Sequence, residues 1–213
     1  LSHEAIESLD ASDLIVLDHH LASEVLPKCH AVVNPNRQDE LGDLSHLCAA
    51  AVVFLCLVEM RRLLRLSAEK SPDLLDMLDL VALATVADVA PLVGVNRAFV
   101  RQGLKILSSR KRIGLAALSD QVKIDQELSA YHLGFLLGPR LNAGGRIGKS
   151  DLGAQLLISR DLEAAKAMAE RLDQLNFERR ELEKQIKEAA LEQAIHQKSM
   201  GSLAWAAGDS WHP

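Results

Sequence analysis

Cysteine, aromatic residues and long apolar runs are all scarce in this chain, and their scarcity excludes whole classes of protein. Only three of the 213 residues are cysteine and none forms a CxxC pair, which argues against a disulfide framework. We interpret Cys48 and Cys56 as small buried hydrophobes in a reducing cytoplasm. The longest apolar run, residues 47–58, is too short to span a bilayer, which takes about 20 residues. We therefore expect a cytoplasmic protein without a membrane contact.

Charge is unevenly distributed along the chain. The formal net charge is −5, which does not favour a nucleic-acid-binding surface, and aromatic residues make up only 3% of the sequence. Between Asp88 and Asp120 there is no acidic residue, and this interval carries a basic series at helical spacing, Arg97, Arg101 and Lys105. A solvated helix face is the simpler interpretation, and a track for a phosphate backbone is the alternative.

The most informative stretch is a short apolar strand that ends in three polar residues. Residues 14–17 are all large and apolar, which is typical of a central strand of a parallel sheet buried on both faces. Asp18, His19 and His20 follow without a spacer, at the strand end where α/β proteins bind ligands. A carboxylate beside imidazoles suits a divalent metal such as manganese, magnesium or zinc. The alternative is a helix N-cap followed by two surface histidines.

Further segments complete a predicted α/β domain. Residues 31–33 form a second short strand, closed by the turn Asn34-Pro35-Asn36. Asp88 follows the last turn of a predicted helix inside an apolar segment, where a bare carboxylate is costly to bury. We therefore expect Asp88 to be paired or to bind a cation. The predicted helices cover 2–9, 44–66, 71–87, 96–108, 112–119 and 129–137.

Residues 140–149 form a polar, glycine-rich segment that we expect to be a flexible basic loop. The guanidinium and amide groups of Arg140, Asn142 and Arg146 could converge on a phosphate. The GxxxxGK[ST] spacing of a P-loop is absent, so this is not the common nucleotide-binding loop.

The last part of the sequence predicts one long helix, from Asp161 to about Lys198. Its apolar positions form a narrow seam, which is typical of a connecting helix packed on one side. Residues 202–206 then begin a strand. Because the chain starts at Leu1 without a methionine and stops just after this new apolar stretch, we interpret it as a fragment.

The order of these segments resembles the DHH phosphoesterase superfamily and, within it, the RecJ-type single-stranded-DNA-specific exonucleases. The resemblance covers essentially the whole chain, and its strongest signal is the segment 138–146, Gly-Pro-Arg-Leu-Asn-Ala-Gly-Gly-Arg. It implies an α/β fold: the C-terminal part of a DHH-type parallel-sheet domain, a helical region and a long connecting helix. The other matching segments are 17–20, 34–36, 85–92 and 211–213.

The resemblance also implies an activity. RecJ-type enzymes are two-metal phosphodiesterases that degrade single-stranded DNA from the 5′ end in repair and recombination, so manganese is the expected ion and magnesium the alternative. Single-stranded DNA is the expected partner, with a single-stranded-DNA-binding protein or a helicase as candidate protein partners.

The same resemblance implies roles for seven residues. His19 and Asp88 are the implied metal ligands. His20 would face the scissile phosphate, and Asp18 would orient the metal or the histidines, so both are implied catalytic residues. The implied phosphate-binding residues are Arg140, Asn142 and Arg146.

A departure from the family pattern concerns the metal ligands. The aspartate-rich DxDxDG-like motif and the aspartate of the second motif would lie upstream of Leu1, so we expect the fragment alone to be inactive. The implied division is a catalytic domain over 1–160, a connecting helix over 161–199 and the start of a DHH-associated domain over 200–213.

Two alternatives remain open. Within the superfamily, the parent could be a phosphodiesterase for oligonucleotides or cyclic dinucleotides, or a pyrophosphatase. Outside enzymes, it could be a noncatalytic DNA-binding or replication-scaffold relative that has lost its metal ligands.

Overall fold

A computed structural model describes residues 3–9, 13–64, 72–147, 149–197, 201, 203–209 and 211. The strands are β1, Ile15–Leu17, and β2, Ala31–Val33. A 3₁₀-helix, Leu74–Met77, leads into α3, and a π-helical stretch, His132–Leu137, leads into α6. The α-helices are α1 His3–Glu7, α2 Ala49–Leu63, α3 Leu78–Ala87, α4 Gly94–Ser108, α5 Ile113–Gln121, α6 Gly138–Ile147, α7 Leu152–Ile158 and α8 Leu162–Gln197.

The two strands pair in parallel, which confirms the predicted sheet type. Ile15 lies opposite Ala31 and Leu17 opposite Val33. The expected burial of β1 on both faces is wrong, because Ile15 is 60% exposed and Val33 on the same face is 39% exposed. The part of the chain that the structure describes contributes only these two strands to the sheet, so one face stays open while Val32 is buried on the other.

The helical core is arranged around α3, whose sequence is apolar on nearly every side. Val81 and Ala82 are at most 3% exposed. Helices α2 and α4 pack against α3, and the π-helical stretch and α6 contact it as well. Gly103 of α4 lies so close that a Cβ there would be 2.1 Å from the carbonyl oxygen of Leu78. Helix α4 can therefore cross α3 in this way only with glycine at that position.

The glycine-rich segment is helical, so the predicted loop is wrong. Residues 138–147 form α6, which continues directly from the π-helical stretch. Ala143 and Gly144 are buried, and a Cβ on Gly144 would lie 3.1 Å from Leu172 Cδ2 of α8. The small residues that suggested flexibility instead allow two helices to pack closely, and this tertiary contact outweighs their low helix propensity. Helix α7 was not predicted, although its Leu156 is fully buried.

The long last helix is confirmed as α8. Its first half packs against α5, α6 and α7, and its buried residues end at Asn176. No described helix, including α8, is both long and apolar enough to cross a membrane. The strand expected over 202–206 is wrong for residues 203–206, which have no regular structure, and residue 202 lies outside the described residues. The side-chain amides of Gln193 and Gln197 donate hydrogen bonds to the backbone carbonyls of Ala207 and Trp205.

Other predicted boundaries shift by a few residues. Ser71, the expected N-cap, lies outside the described residues. The 3₁₀-helix before α3 is capped by Asp73, whose carboxylate accepts a hydrogen bond from the Leu75 N–H at 3.0 Å. Helix α2 begins only at Ala49, because residues 44–48 are not helical and include a turn at Ser45 and His46.

A buried ion pair joins the start of α3 to the start of α5. Asp79 has a side chain that is only 4% exposed, and its Oδ2 accepts a hydrogen bond from Arg112 Nε at 2.7 Å. The Leu80 N–H donates to the other carboxylate oxygen at 2.7 Å. Removing the guanidinium would leave a buried carboxylate without its charged partner.

We predict that Arg112→Met lowers the free energy of unfolding by about 3–5 kcal/mol, the usual cost of leaving a buried charge unpaired. Arg62→Met is the matched control, because Arg62 pairs with Glu59 on the exposed face of α2. It should cost no more than about 1 kcal/mol. Urea denaturation followed by circular dichroism measures both, and equal losses would contradict the structural role of Asp79.

Candidate functional site

The structure brings together the two predicted metal ligands, which are 69 positions apart in the sequence. His19 follows the carboxyl end of β1, and Asp88 follows the last residue of α3. His19 Nδ1 lies 3.5 Å from Asp88 Oδ2. The His19 side chain is 17% exposed and the Asp88 side chain 45% exposed, so the pair sits at the surface with one side open to solvent.

Asp18 and His20 form a second carboxylate–imidazole pair beside the first. His20 Nδ1 lies 2.7 Å from Asp18 Oδ1, and the rings of His19 and His20 have centroids 4.4 Å apart. Burial raises the pKa of Asp18, but hydrogen bonds from the His20 side chain and from the backbone at His19 and His20 lower it more. The pKa of Asp18 therefore lies below its ordinary value, and the carboxylate is charged at neutral pH.

The turn after β2 holds the backbone of both histidines, a contact that the sequence did not predict. Asn36 Nδ2 donates to the His19 carbonyl at 2.7 Å and to the Ser45 carbonyl at 2.9 Å. Asn34 Nδ2 donates to the His20 carbonyl at 2.8 Å. Asparagines in a turn usually bond their own backbone, so only their position beside the strand end could have indicated this contact. The turn therefore fixes the backbone positions from which the two imidazole side chains extend.

Asp88 is placed by the C-terminal cap of α3. The Ala90 N–H donates to the Thr85 carbonyl and the Val89 N–H to the Val86 carbonyl, both at 3.1 Å, which is the pattern of a Schellman motif. Glycine normally occupies the left-handed position of this motif, but here it is Val89, with φ 57°. A β-branched residue at positive φ is strained, and such strain is concentrated at functional sites.

A buried asparagine fixes the segment that follows Asp88. Asn96 is fully buried, and its Nδ2 donates to the Pro91 carbonyl at 3.0 Å and to the His46 carbonyl at 2.7 Å. It thus ties the loop between α3 and α4 to the loop before α2. Asn96 was not expected from the sequence, because a single asparagine in an amphipathic helix gives no signal of burial.

The three predicted phosphate-binding residues differ in their surroundings. Arg140 is 16% exposed, and its Nε donates to Asp173 Oδ1 at 2.7 Å while its Nη1 donates to the Leu136 carbonyl at 2.8 Å. These contacts tie α6 to α8 and leave the guanidinium little freedom. Asn142 is exposed on α6. The backbone of Arg146 lies in α6, but its side chain lies outside the described residues.

The donors that the structure places together fit only part of a metal site. An imidazole nitrogen and a carboxylate oxygen suit manganese, magnesium or zinc. Among the described residues, no group of three histidine, cysteine, aspartate or glutamate side chains is placed to hold a metal ion. Residues outside the described set would have to supply the remaining ligands.

The parallel strand pair with Asp18, His19 and His20 at its carboxyl end defines a DHH-type α/β domain. The family model that matches residues 1–85 is the DHH family, N-terminal domain. The structural similarity points to a particular branch. With a TM-score of 0.78 and 33% identity, the chain superposes on the crystal structure of RecJ in complex with Mn²⁺ from Thermus thermophilus. The match covers 91% of this chain and 28% of that one.

Sequence similarity to curated proteins points to the same branch of the superfamily. The chain is 38% identical to the single-stranded-DNA-specific exonuclease RecJ of Escherichia coli (strain K12) over 89% of its own length and 35% of the relative. It is 41% identical to the RecJ of Dickeya dadantii over 84% of its length and 32% of the relative. The chain thus spans about a third of the length of these relatives. The resemblance is confirmed: residues 1–85 match the DHH family, and most of the chain is similar to RecJ-type exonucleases.

We predict that Val89→Gly raises the free energy of unfolding by about 0.5–1 kcal/mol, because relief of left-handed strain exceeds the extra flexibility of glycine in the unfolded chain. Val25→Gly is the control, since Val25 is also well exposed but does not have a positive φ. It should lower stability by about 0.4–1 kcal/mol. Thermal and urea unfolding measure both variants. A destabilised Val89→Gly would show that the cap is not strained.

Proposed function

We propose that this chain is part of the catalytic region of a metal-dependent 5′-to-3′ exonuclease that degrades single-stranded DNA in cytoplasmic DNA repair and recombination. The observation that carries the proposal is the convergence of His19 and Asp88, 3.5 Å apart, in a chain that resembles manganese-bound RecJ. A single-stranded-DNA-binding protein or a helicase would be its protein partner. We also propose that residues 1–160 form a catalytic domain, that 161–199 form a connecting helix and that a further domain begins near 200.

In this proposal His19 and Asp88 hold a divalent metal ion, manganese in preference to magnesium. Relatives have been crystallised with Mn²⁺ and with Mg²⁺, so both ions suit the family. A bound divalent ion supplies activation of water and neutralises charge on the attacked phosphate. The protein's own contribution is to hold the two donors at a fixed separation, which the Asn36 hydrogen bond and the α3 cap support.

Asp18 and His20 act on the phosphate side of the site. The charged Asp18 carboxylate, 2.7 Å from Nδ1, favours a proton on that nitrogen and fixes the ring orientation. The His20 side chain is 75% exposed, so its other nitrogen can reach a substrate. We infer that His20 contacts the scissile phosphate through Nε2 and that Asp18 is its orienting partner.

Arg146, Asn142 and Arg140 are proposed to contact the DNA backbone from α6. A helix that presents a guanidinium and an amide gives donors for phosphate oxygens. The ion pair between Arg140 and Asp173 supports a second role for Arg140, which is to fix α6 on α8. Of the three, Arg140 is therefore the residue whose substitution should also lower stability.

We predict that this chain alone binds manganese weakly and does not degrade single-stranded DNA. Two side-chain donors cannot complete two metal sites, since magnesium-like ions need near-octahedral oxygen-rich coordination. Calorimetric titration with manganese chloride should give no saturable binding below millimolar concentrations. Manganese-dependent loss of a labelled oligonucleotide with the purified chain would contradict the prediction.

We predict that His19→Ala and Asp88→Asn each lower turnover by orders of magnitude in a longer protein that includes the regions flanking this chain in its relatives. Each substitution removes a metal ligand rather than a packing residue, so thermal stability should hardly change. His30→Ala is the matched control, because His30 Nδ1 also lies near a carboxylate, 3.3 Å from Asp13 Oδ1, at an exposed position. Steady-state degradation of a defined single strand with manganese is the measurement. Normal turnover in either ligand variant would refute its metal role.

A further inference from the structure

Asn96 keeps a polar side chain in the interior with only part of its hydrogen bonds made. It is fully buried in the first turn of α4, and its Nδ2 donates two hydrogen bonds to carbonyl oxygens. Its Oδ1 makes no hydrogen bond with any residue that the structure describes. A buried acceptor without a donor is destabilising, and such a group requires an explanation. The amide is explained by the two carbonyl groups that its Nδ2 holds, and not by packing.

One of these two hydrogen bonds holds the loop that carries Asp88. Asn96 Nδ2 lies 3.0 Å from the carbonyl oxygen of Pro91, three residues after Asp88, and 2.7 Å from the carbonyl oxygen of His46. The loop begins with the left-handed residue Val89, at φ 57°, a conformation that tertiary contacts must maintain. The bond to Pro91 therefore restricts the loop to one path and ties that path to His46.

His19 is tied to the neighbouring carbonyl group in the same way. Asn36 Nδ2 donates to the His19 carbonyl at 2.7 Å and to the Ser45 carbonyl at 2.9 Å. Ser45 and His46 are consecutive, and we call them the 45–46 dipeptide. Because one amide reaches each of its two carbonyl groups, a shift of this dipeptide would be transmitted both to His19 and to the loop after Asp88.

The 45–46 dipeptide is itself fixed by the core. The Leu47 N–H donates to the Leu44 carbonyl at 3.0 Å, which closes a turn around the dipeptide. Leu47 and Cys48, which follow, are each 2% exposed, and α2 then packs against α3. Since α3 ends at Asp88, the dipeptide and the two helices connect both predicted metal ligands through one packed unit.

We propose that Asn36 and Asn96 are positioning residues that set the affinity of His19 and Asp88 for a divalent metal ion through the 45–46 dipeptide. The inference rests on the proposed function and adds to it the residues that fix the separation of the two ligands. Metal–ligand distances are kept within about 0.2 Å of their ideal values, so a small displacement of either loop weakens coordination. Because both amides act on one dipeptide, their effects on metal affinity should be coupled.

The test measures manganese affinity without DNA, in the longer protein that includes the regions flanking this chain in its relatives. Calorimetric titration with manganese chloride should show that Asn36→Ala and Asn96→Ala each weaken binding about tenfold or more, as for other groups that orient metal ligands. The double variant should lose less affinity than the product of the two single losses. Ser119→Ala is the control, because Ser119 is 3% exposed and donates to the Leu115 carbonyl at 2.7 Å within α5. It also removes a buried hydrogen bond but should leave manganese affinity unchanged.

Variants of similar shape separate the lost hydrogen bonds from the lost volume. Asn36→Leu and Asn96→Leu keep nearly the same side-chain size without a donor, so they should weaken manganese binding as the alanine variants do. Thermal melts identify the variants that are folded at the titration temperature. If neither Asn96 variant is folded, the two Asn36 variants alone decide whether an amide in this position sets the metal affinity.

Three results would overturn the inference or its basis. Manganese affinity that falls no more in the asparagine variants than in Ser119→Ala would refute the positioning role. Losses that multiply in the double variant would refute the shared connection through the 45–46 dipeptide. His19→Ala in the same titration tests the proposed function separately, because unchanged manganese binding there would show that the proposed metal site is wrong. Weaker binding in His19→Ala, with full affinity in the asparagine variants, would refute the positioning role alone.

Discussion

The position of Asp88 depends on where α3 ends, and the rest of the site depends on that position. Helix α3 is nearly all apolar and is enclosed by neighbouring helices, so it cannot rotate or slide without exposing its core residues. Its last turn is closed by two backbone hydrogen bonds, at 3.1 Å each, from Val89 and Ala90. The carboxylate that faces His19 is therefore held by packing and capping.

A short segment before α2 connects the two halves of the site. The consecutive carbonyl groups of Ser45 and His46 accept hydrogen bonds from Asn36 and from Asn96. Asn36 also holds the His19 backbone, and Asn96 also holds the loop after Asp88 through the Pro91 carbonyl. Two asparagine amides thus tie the His19 backbone and the loop after Asp88 to the same short segment before α2. Because these bonds are made to backbone, substitution of the histidine or aspartate side chains leaves them intact.

The sequence predicted those parts of the fold that follow from local pattern. The strand pair, the apolar helix that ends at Ala87 and the long last helix are confirmed, because each is encoded by its own local pattern of apolar residues. The helix over 138–147 was not predictable, because its small residues favour helix only once α8 is in contact with Gly144. The exposure of Ile15 could not be predicted either, because a run of apolar residues does not indicate which face of the strand will be covered.

The candidate site shows the same division between local signal and long-range contact. The proximity of His19 and Asp88 was expected only from the resemblance, because a separation of 69 positions carries no spacing rule. Val89 could not be recognised as strained, since φ depends on the cap that surrounds it. Arg140 could not be recognised as a partner of Asp173, because helices that are distant in sequence meet there.

The way the site is held also accounts for its chemical character. A carboxylate and an imidazole at 3.5 Å, with the carboxylate 45% exposed, attract each other only weakly in water, so their contact adds little to stability. What keeps them together is backbone geometry on either side, and the donors remain open toward solvent. Because backbone hydrogen bonds hold the two donors and one side of the pair faces solvent, a ligand could reach both donors. This arrangement is consistent with the proposed role of the two donors in binding a ligand.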